Sequence, residues 1–184
     1  MRRAAFHPEK SNRLKYISGN FRIIRTLGVL SDTHGHVSNT QQAARTFEAF
    51  DVEGVVHCGD IGSAEIPRLL DAWPTHYVLG NMDGHSDRLL RAIEETGGIM
   101  HGRFGSVRMS ERNIAFLHGD DFSRLDAEIT RGVWDIICHG HTHQANQHLE
   151  GRTLVLNPGA LYRSSSPSIA IVDLERLEPT IIPV

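Results

Sequence analysis

The stretch Thr26-Leu-Gly-Val-Leu-Ser31, running on into Asp32-Thr-His-Gly-His36, decides how the chain is read. A short apolar run with a β-branched residue ends in a polar cluster beside glycine, and helical spacing follows, with Ala43, Ala44, Phe47 and Phe50 on one face. That is a strand, a functional turn and a helix in succession. The same rhythm returns twice. Gly54-Val-Val-His57 leads into Cys58-Gly-Asp60, and Ser63 is a candidate cap for a helix to Trp73, with Pro67 in its first turn. His76-Tyr-Val-Leu79 leads into Gly80-Asn-Met-Asp83, and Ser86 caps a helix carrying Leu89, Leu90 and Ile93 that Gly97-Gly98 stops.

Beyond residue 100 the pattern changes. Ser106–Met109 and Asn113–Leu117 form a hairpin around Ser110-Glu-Arg112, ending in His118-Gly-Asp120. A short helix at Leu125–Ile129 precedes the strand Trp134–Cys138 and then His139-Gly-His-Thr-His143. Three further strands are expected at Gln144–Leu149, Thr153–Leu156 and Ile169–Asp173, with Gly151 and Pro158-Gly159 marking turns. Strand–helix alternation followed by hairpins implies an α/β sandwich of mixed sheets with helices outside.

Five of these strands end in the same manner, in Asp32 and His34, Asp60, Asn81, His118, and His141 and His143. In open α/β sheets, ligands bind beyond the carboxyl ends of the strands, so residues remote in sequence meet there. Glycine flanks nearly all of them (Gly35, Gly59, Gly80, Gly119, Gly140), as crowded backbone at a site requires. Asp32/His34 and His141/His143 are two apart, and in an extended segment such pairs face the same side. Singly, Asp32, Asp60 or Asn81 reads as a turn residue and His118 as a buried histidine; together they form a mixed oxygen–nitrogen set. Such a set suits Mn, Fe, Zn, Co or Ni better than Ca or Mg. Seven ligands exceed what one tetrahedral ion uses.

Composition sets bounds on function. Seven basic residues (Arg2, Arg3, Lys10, Arg13, Lys15, Arg22, Arg25) face one acid, Glu9, up to residue 25. The remainder carries twelve basic and twenty-one acidic residues, which argues against nucleic-acid binding by the main domain. Residues 1–25 read as a flexible basic extension and residues 26–184 as the domain. The N-terminus lacks the apolar core of a secretory signal, no stretch is long enough to span a bilayer, and two cysteines, Cys58 and Cys138, are too few for a disulfide framework. A cytoplasmic protein is expected. A homodimer is the commonest assembly, though no sequence feature locates an interface.

Asp32-Thr-His34, Gly59-Asp60, Gly80-Asn81, His118 and Gly140-His141-Thr-His143 resemble the five motif blocks of the calcineurin-like metallophosphoesterases, over everything but the basic arm. The short length and Asn157-Pro-Gly159 are similar to its small YfcE-like phosphodiesterase branch. The resemblance implies a four-layer α/β/β/α sandwich of two mixed sheets flanked by helices. It also implies two divalent cations, manganese being the usual one. Asp32, His34, Asp60 and His143 would hold one cation and Asp60, Asn81, His118 and His141 the other, with Asp60 shared. The implied reaction is hydrolysis of a small phosphoester, most simply a diester, by hydroxide formed between cations about 3.5–4 Å apart. Larger members carry histidine directly after the motif asparagine as an aid to the leaving group; here Met82 stands there. His36 and His85 are candidate substitutes, Asp83 is expected to orient its loop, and Arg163 is a candidate phosphate contact. Two alternatives stay open: a phosphomonoesterase or protein phosphatase, and a catalytically silent scaffold similar to the retromer scaffold subunit.

Overall fold

A computed structural model of the protein describes residues 25–84 and 86–184. Most of the basic arm, and His85, lie outside the described residues. Two mixed sheets stack face to face. The first has the order β11-β10-β1-β2-β3-β4, with β1 (Thr26–Leu30), β2 (Gly54–His57), β3 (Thr75–Tyr77) and β4 (Ile99–Met100) parallel. β10 (Ser168–Asp173) and β11 (Glu178–Pro183) join it antiparallel. The second has the order β5-β6-β7-β9-β8. In it β6 (Arg112–Leu117), β7 (Ile136–Cys138) and β9 (Thr153–Asn157) run parallel, between the antiparallel edges β5 (Phe104–Met109) and β8 (Asn146–Glu150).

The period-two alternation of the strands sorts the core into three apolar layers. Leu27 and Val29 of β1, Val56 of β2, and Ala170 and Val172 of β10 face Ile114, Phe116, Ile136, Cys138, Leu154 and Leu156 of the second sheet. Leu30, Val55, Tyr77, Ile169 and Ile171 point the other way, onto α1 (Val37–Ala49), α2 (Glu65–Leu69) and α3 (Asp87–Glu95). Ala115, Leu117 and Ile137 pack outward against Leu125 and Ile129 of α4 (Phe122–Thr130). Three apolar interfaces make four layers, the α/β/β/α sandwich.

Details depart from expectation where local chemistry is weak. Phe50 does not share the buried face of α1. It is the C-cap and 53% exposed, whereas Ala43 and Phe47 are fully buried. Ser63 is not a cap; Ala64 stands there without a side-chain hydrogen bond, and α2 ends at Leu69 rather than reaching Trp73. Ser86 does cap α3, its hydroxyl accepting from Leu89 N–H. The edge strands β4 and β11 escape sequence reading. One has two residues, and the other contains Pro179 and Pro183, which an edge tolerates. Ser110 and Glu111 turn the β5–β6 hairpin at φ 46° and 63°, the paired positive values of a tight two-residue turn.

α1 seats closely on β1 because residue 28 has no side chain: a Cβ there would stand 2.8 Å from Phe47 Cε1. Phe47 meets Trp73 edge-on at 5.9 Å. Phe47→Ala is therefore expected to cost about 3–5 kcal/mol, read as a lowered denaturant midpoint with unchanged slope.

Candidate metal centre

β1, β2, β3, β6, β7 and β9 all deliver their carboxyl ends to one edge of the sandwich. The loops after them cross-brace one another. Asp32 N–H donates to Gly59 O at 3.0 Å, His34 N–H to Asp60 O at 2.9 Å and Gly35 N–H to Ile61 O at 2.8 Å. Within the second sheet, beyond the ends of β6 and β7, Gly140 N–H reaches His118 O at 2.9 Å. These bonds hold an unusual backbone. Asp32, His34, Asp60, His141 and His143 have φ of 53°, 43°, 53°, 68° and 57°. The two-apart pairs thus converge through left-handed residues, not through the extended geometry read from their spacing. Such conformations each cost of order 1–3 kcal/mol and persist where surrounding bonds over-determine them.

All seven sequence-selected side chains lie at this edge. Asp32 is completely buried, Asp60 and His118 nearly so. Asp32 Oδ2 accepts from His141 N–H at 3.0 Å. Its Oδ1, buried, has no hydrogen-bond partner among the described residues. Around that atom stand His143 Nε2 at 3.2 Å and His34 Nε2 and His118 Nε2, each at 3.9 Å. Asp60 Oδ1 accepts from Met82 N–H at 2.8 Å, leaving Oδ2 at 3.4 Å from His118 Nε2 and 3.7 Å from His34 Nε2. Asn81 Oδ1 lies 3.1 Å from His118 Nε2, and the His141 ring stands edge-on to that of His118 at 5.1 Å. Two groups, Asp32/His34/His143 and Asp32/Asp60/His118, each bring three donor atoms within 4.8 Å of one another and could hold a metal ion. An orphaned buried oxygen ringed by imidazole nitrogens fits a cation, because each buried polar atom needs a partner and this oxygen–nitrogen chemistry suits transition metals.

The ring orientations fit as well. His118 Nδ1 donates to Cys58 O at 2.8 Å and His143 Nδ1 to Arg163 O at 3.3 Å, so both present Nε2 to the cluster. Burial disfavours charge on His118, but Asp60 and Asp32 outweigh it and hold its pKa above the ordinary value. For His34 burial prevails over the same carboxylates, and its pKa is lowered. Burial also opposes ionisation of Asp60; the bonds from His118 and Met82 N–H overcome it and leave the pKa below the ordinary value.

Supporting residues complete the centre. Asp83 orients its loop as expected, accepting from Gly62 N–H at 2.9 Å and Gly80 N–H at 2.8 Å. Asn157, at the end of β9, donates from Nδ2 to Gly140 O and Thr142 Oγ1, both at 3.0 Å, and its Oδ1 accepts from Gly159 N–H. In the sequence Asn157-Pro-Gly159 reads as a turn with a family likeness, and the place of Asn157 at a parallel-strand terminus is the signal for its bracing role. Arg103 donates to Gly80 O at 3.3 Å and pairs with Asp120, tying the asparagine loop to the His118 loop; nothing in its sequence neighbourhood marked it. His36 is half-buried. Its Nδ1 accepts from Asn39 N–H to cap α1, and its ring stacks on Tyr162 at 5.1 Å. Met82 is 62% exposed and Arg163 is exposed; both line a groove beside the centre.

The chain matches the calcineurin-like phosphoesterase superfamily domain over residues 26–177, and it belongs to that family. Among particular proteins, a phosphodiesterase of Methanocaldococcus jannaschii is 33% identical over 159 residues, covering 83% of this chain and 95% of that one. The solved structure of an archaeal phosphodiesterase superposes with a TM-score of 0.80 at 30% identity, over 86% of this chain and 99% of that one. YfcE, a phosphoesterase of E. coli, shares the fold, with a TM-score of 0.60 at 16% identity over 85% of this chain and 98% of that one. No helix among the described residues is long and apolar enough to cross a membrane.

His57, one residue short of the Cys58-Gly-Asp60 turn, offers a test of the bracing. Gly59 N–H donates to its Nδ1 at 3.2 Å, and Nε2 meets Thr33 Oγ1 at 3.0 Å, whose hydroxyl donates on to Ile61 O. Complete burial lowers its pKa from 6.5 to about 3. A histidine so depressed contributes stability that is fully present above pH 6.5 and is lost as pH falls toward 3. The loss is roughly 1.4 kcal/mol per pH unit. Unfolding free energies of wild type and His57→Gln, measured from pH 7 to 4, are expected to show a shallower acid-side slope in the variant.

Proposed function

We propose that this chain is a binuclear-metal phosphodiesterase. The observation that carries the reading is Asp32 Oδ1, buried without a hydrogen bond among the described residues and faced by three imidazole Nε2 atoms within 3.9 Å. Asp32, His34, Asp60 and His143 would hold one divalent cation. Asp60, Asn81, His118 and His141 would hold the other. A shared role for Asp60 is supported by Oδ2, which lies between His34 of the first set and His118 of the second. Manganese is the first metal to try, and iron, zinc, cobalt and nickel suit the same donors.

Bound there, such cations supply Lewis acidity toward phosphoryl oxygens and lower the pKa of coordinated water. The chain's own part is preorganisation. Cys58 O and Arg163 O fix the proton-bearing nitrogens of His118 and His143, so that each Nε2 stays aimed at the carboxylates. Asp83 and Asn157 hold the loops that carry Asn81 and His141. Met82 offers no proton to a leaving alkoxide, and this favours diesters with good leaving groups over monoesters. The name of the M. jannaschii relative points to the same substrate class. A small phosphoester reaches the open edge without competing for nucleic-acid contacts that an acidic body disfavours. Cys58 and Cys138, free and buried, accord with a reducing, cytoplasmic setting.

Metal-stripped protein is expected to hydrolyse bis-p-nitrophenyl phosphate only after a divalent ion, manganese first, is restored, and to prefer it to the monoester. Absence of turnover with Mn, Fe, Ni, Co and Zn alike would turn the reading toward a silent scaffold. Asp60→Asn and His141→Gly are expected to abolish turnover while the unfolding midpoint moves by only a few degrees. Glycine accepts the φ of 68° at 141 without strain. Full activity in either variant would refute the assigned roles.

A further inference from the structure

A groove of about 530 Å³ opens beside the centre; His34 forms part of its wall, and the side chains of Met82, Tyr162 and Arg163, which also line it, are used neither by the metal sets nor by the bracing of the loops. One wall is aromatic: the His36 and Tyr162 rings stack at 5.1 Å and 21°, and Tyr162 lies 6.1 Å from the ring of His34. Met82 also lines it, on the loop that follows β3. Arg163 completes the rim, with Cζ 5.6 Å from the Tyr162 ring centroid.

This strip is built into the site. Leu161 O accepts from Asn39 Nδ2 at 2.6 Å, and Tyr162 N–H donates to Asp32 O at 3.1 Å. Arg163 O receives His143 Nδ1, and Arg163 itself is held at φ 55°. The aromatic face is therefore fixed in register with the carboxylate–imidazole cluster, yet Tyr162 is 38% exposed and Met82 62%. An exposed ring, a soft thioether and a guanidinium beside a phosphoryl site form a stacking surface with an anion contact. The volume lies in the range of small-ligand sites.

We propose that this groove is the subsite for a flat, ring-bearing ester group, so that the substrate is a phosphodiester with a nucleoside or other aromatic arm. Tyr162 supplies the stacking face, Met82 flanks it, and Arg163 offsets the single negative charge of the diester. The assignment rests on the phosphodiesterase reading above.

The test holds the leaving group constant. p-Nitrophenyl phosphodiesters whose second ester group is methyl, phenyl or 5′-thymidyl are compared by kcat/KM in the manganese-loaded protein. Ring-bearing substrates are expected to exceed the methyl ester by about tenfold or more, the order contributed by stacking on one aromatic side chain. That ratio collapses in Tyr162→Ala and survives in Tyr162→Phe, which keeps the ring. Preference for phenyl alone names an aryl arm, and preference for both includes nucleosides. Equal kcat/KM for methyl and ring-bearing esters, or a ratio unchanged by Tyr162→Ala, overturns the subsite and leaves the phosphodiesterase reading intact. Failure to hydrolyse all three, with any of the metals, sinks that reading instead. Calorimetric binding of thymidine 5′-monophosphate against inorganic phosphate then decides the subsite. A tenfold loss confined to the nucleotide in Tyr162→Ala supports it, and equal affinities in wild type overturn it.

Discussion

The Asp32 carboxyl group is the constraint on which the rest of the molecule turns. It is wholly removed from solvent, one oxygen is tied to His141 N–H, and the other has no hydrogen bond among the described residues. A buried polar oxygen left in this way costs free energy that a stable fold must offset elsewhere. The surrounding groups are arranged for a positive charge: Asp60 Oδ2 faces His34 and His118, and the imidazoles of His34, His118 and His143 converge with Nε2 foremost. Space is limited as tightly as charge. A Cβ at position 140 would stand 2.6 Å from Asp32 Oδ2, and one at position 80 would stand 2.1 Å from Asp60 Oδ1. Gly80 is there because the Asp60 carboxylate occupies that volume, and Gly140 because the Ser31 hydroxyl, at 1.9 Å, and the Asp32 carboxylate do.

Strain follows from this crowding. Five of the seven cluster residues adopt left-handed backbone, and β-branched residues would not tolerate it. Nothing in an isolated loop would hold aspartate and histidine there. The holding comes from the loops themselves, each donating its N–H groups to the carbonyls of the next across 59–61 and 118–140. Because the strands beneath are registered, with Leu30 beside His57 and Phe116 beside Cys138, the bracing continues the sheets beyond their last ladder bonds. The apolar layers therefore set the positions of the charged edge, and the strain of that edge is carried by cooperative folding of both sheets.

Much of this was legible in the chain. Strand ends, glycine neighbours and residue chemistry select seven side chains, and all seven meet at one edge. The left-handed turns were not legible, because spacing of two suggests extended backbone and only tertiary hydrogen bonds reverse it. Short helix α2 was overextended, since Leu70 and Trp73 continue an apolar pattern that packs without being helical. Edge strands β4 and β11 carry too little alternation to announce themselves. Arg103 and the Thr33–His57 pair were invisible for a different reason: each acts by binding the backbone of another loop or strand end, and no local pattern encodes such a partner. Tyr162 was equally silent, an aromatic in a serine-rich loop whose value lies in its stacking on His36.

The departure at Met82 ties chemistry to selectivity. A proton donor at that position would contribute about 10²–10⁴-fold to departure of a poor leaving group, and a thioether contributes none. His36 is no simple replacement, because its Nδ1 is engaged at the start of α1 and its ring is committed to Tyr162. What methionine brings is exposed, polarisable surface at the mouth of the groove. In the subsite proposed above, the position thus trades help for the departing oxygen for contact with the ester groups. Rate in such a site depends on the intrinsic quality of the leaving group and on how well the remaining arm is held. Discrimination among phosphodiesters then resides in the loops of Met82 and Tyr162, while the carboxylate–imidazole cluster stays indifferent to everything beyond the phosphoryl group.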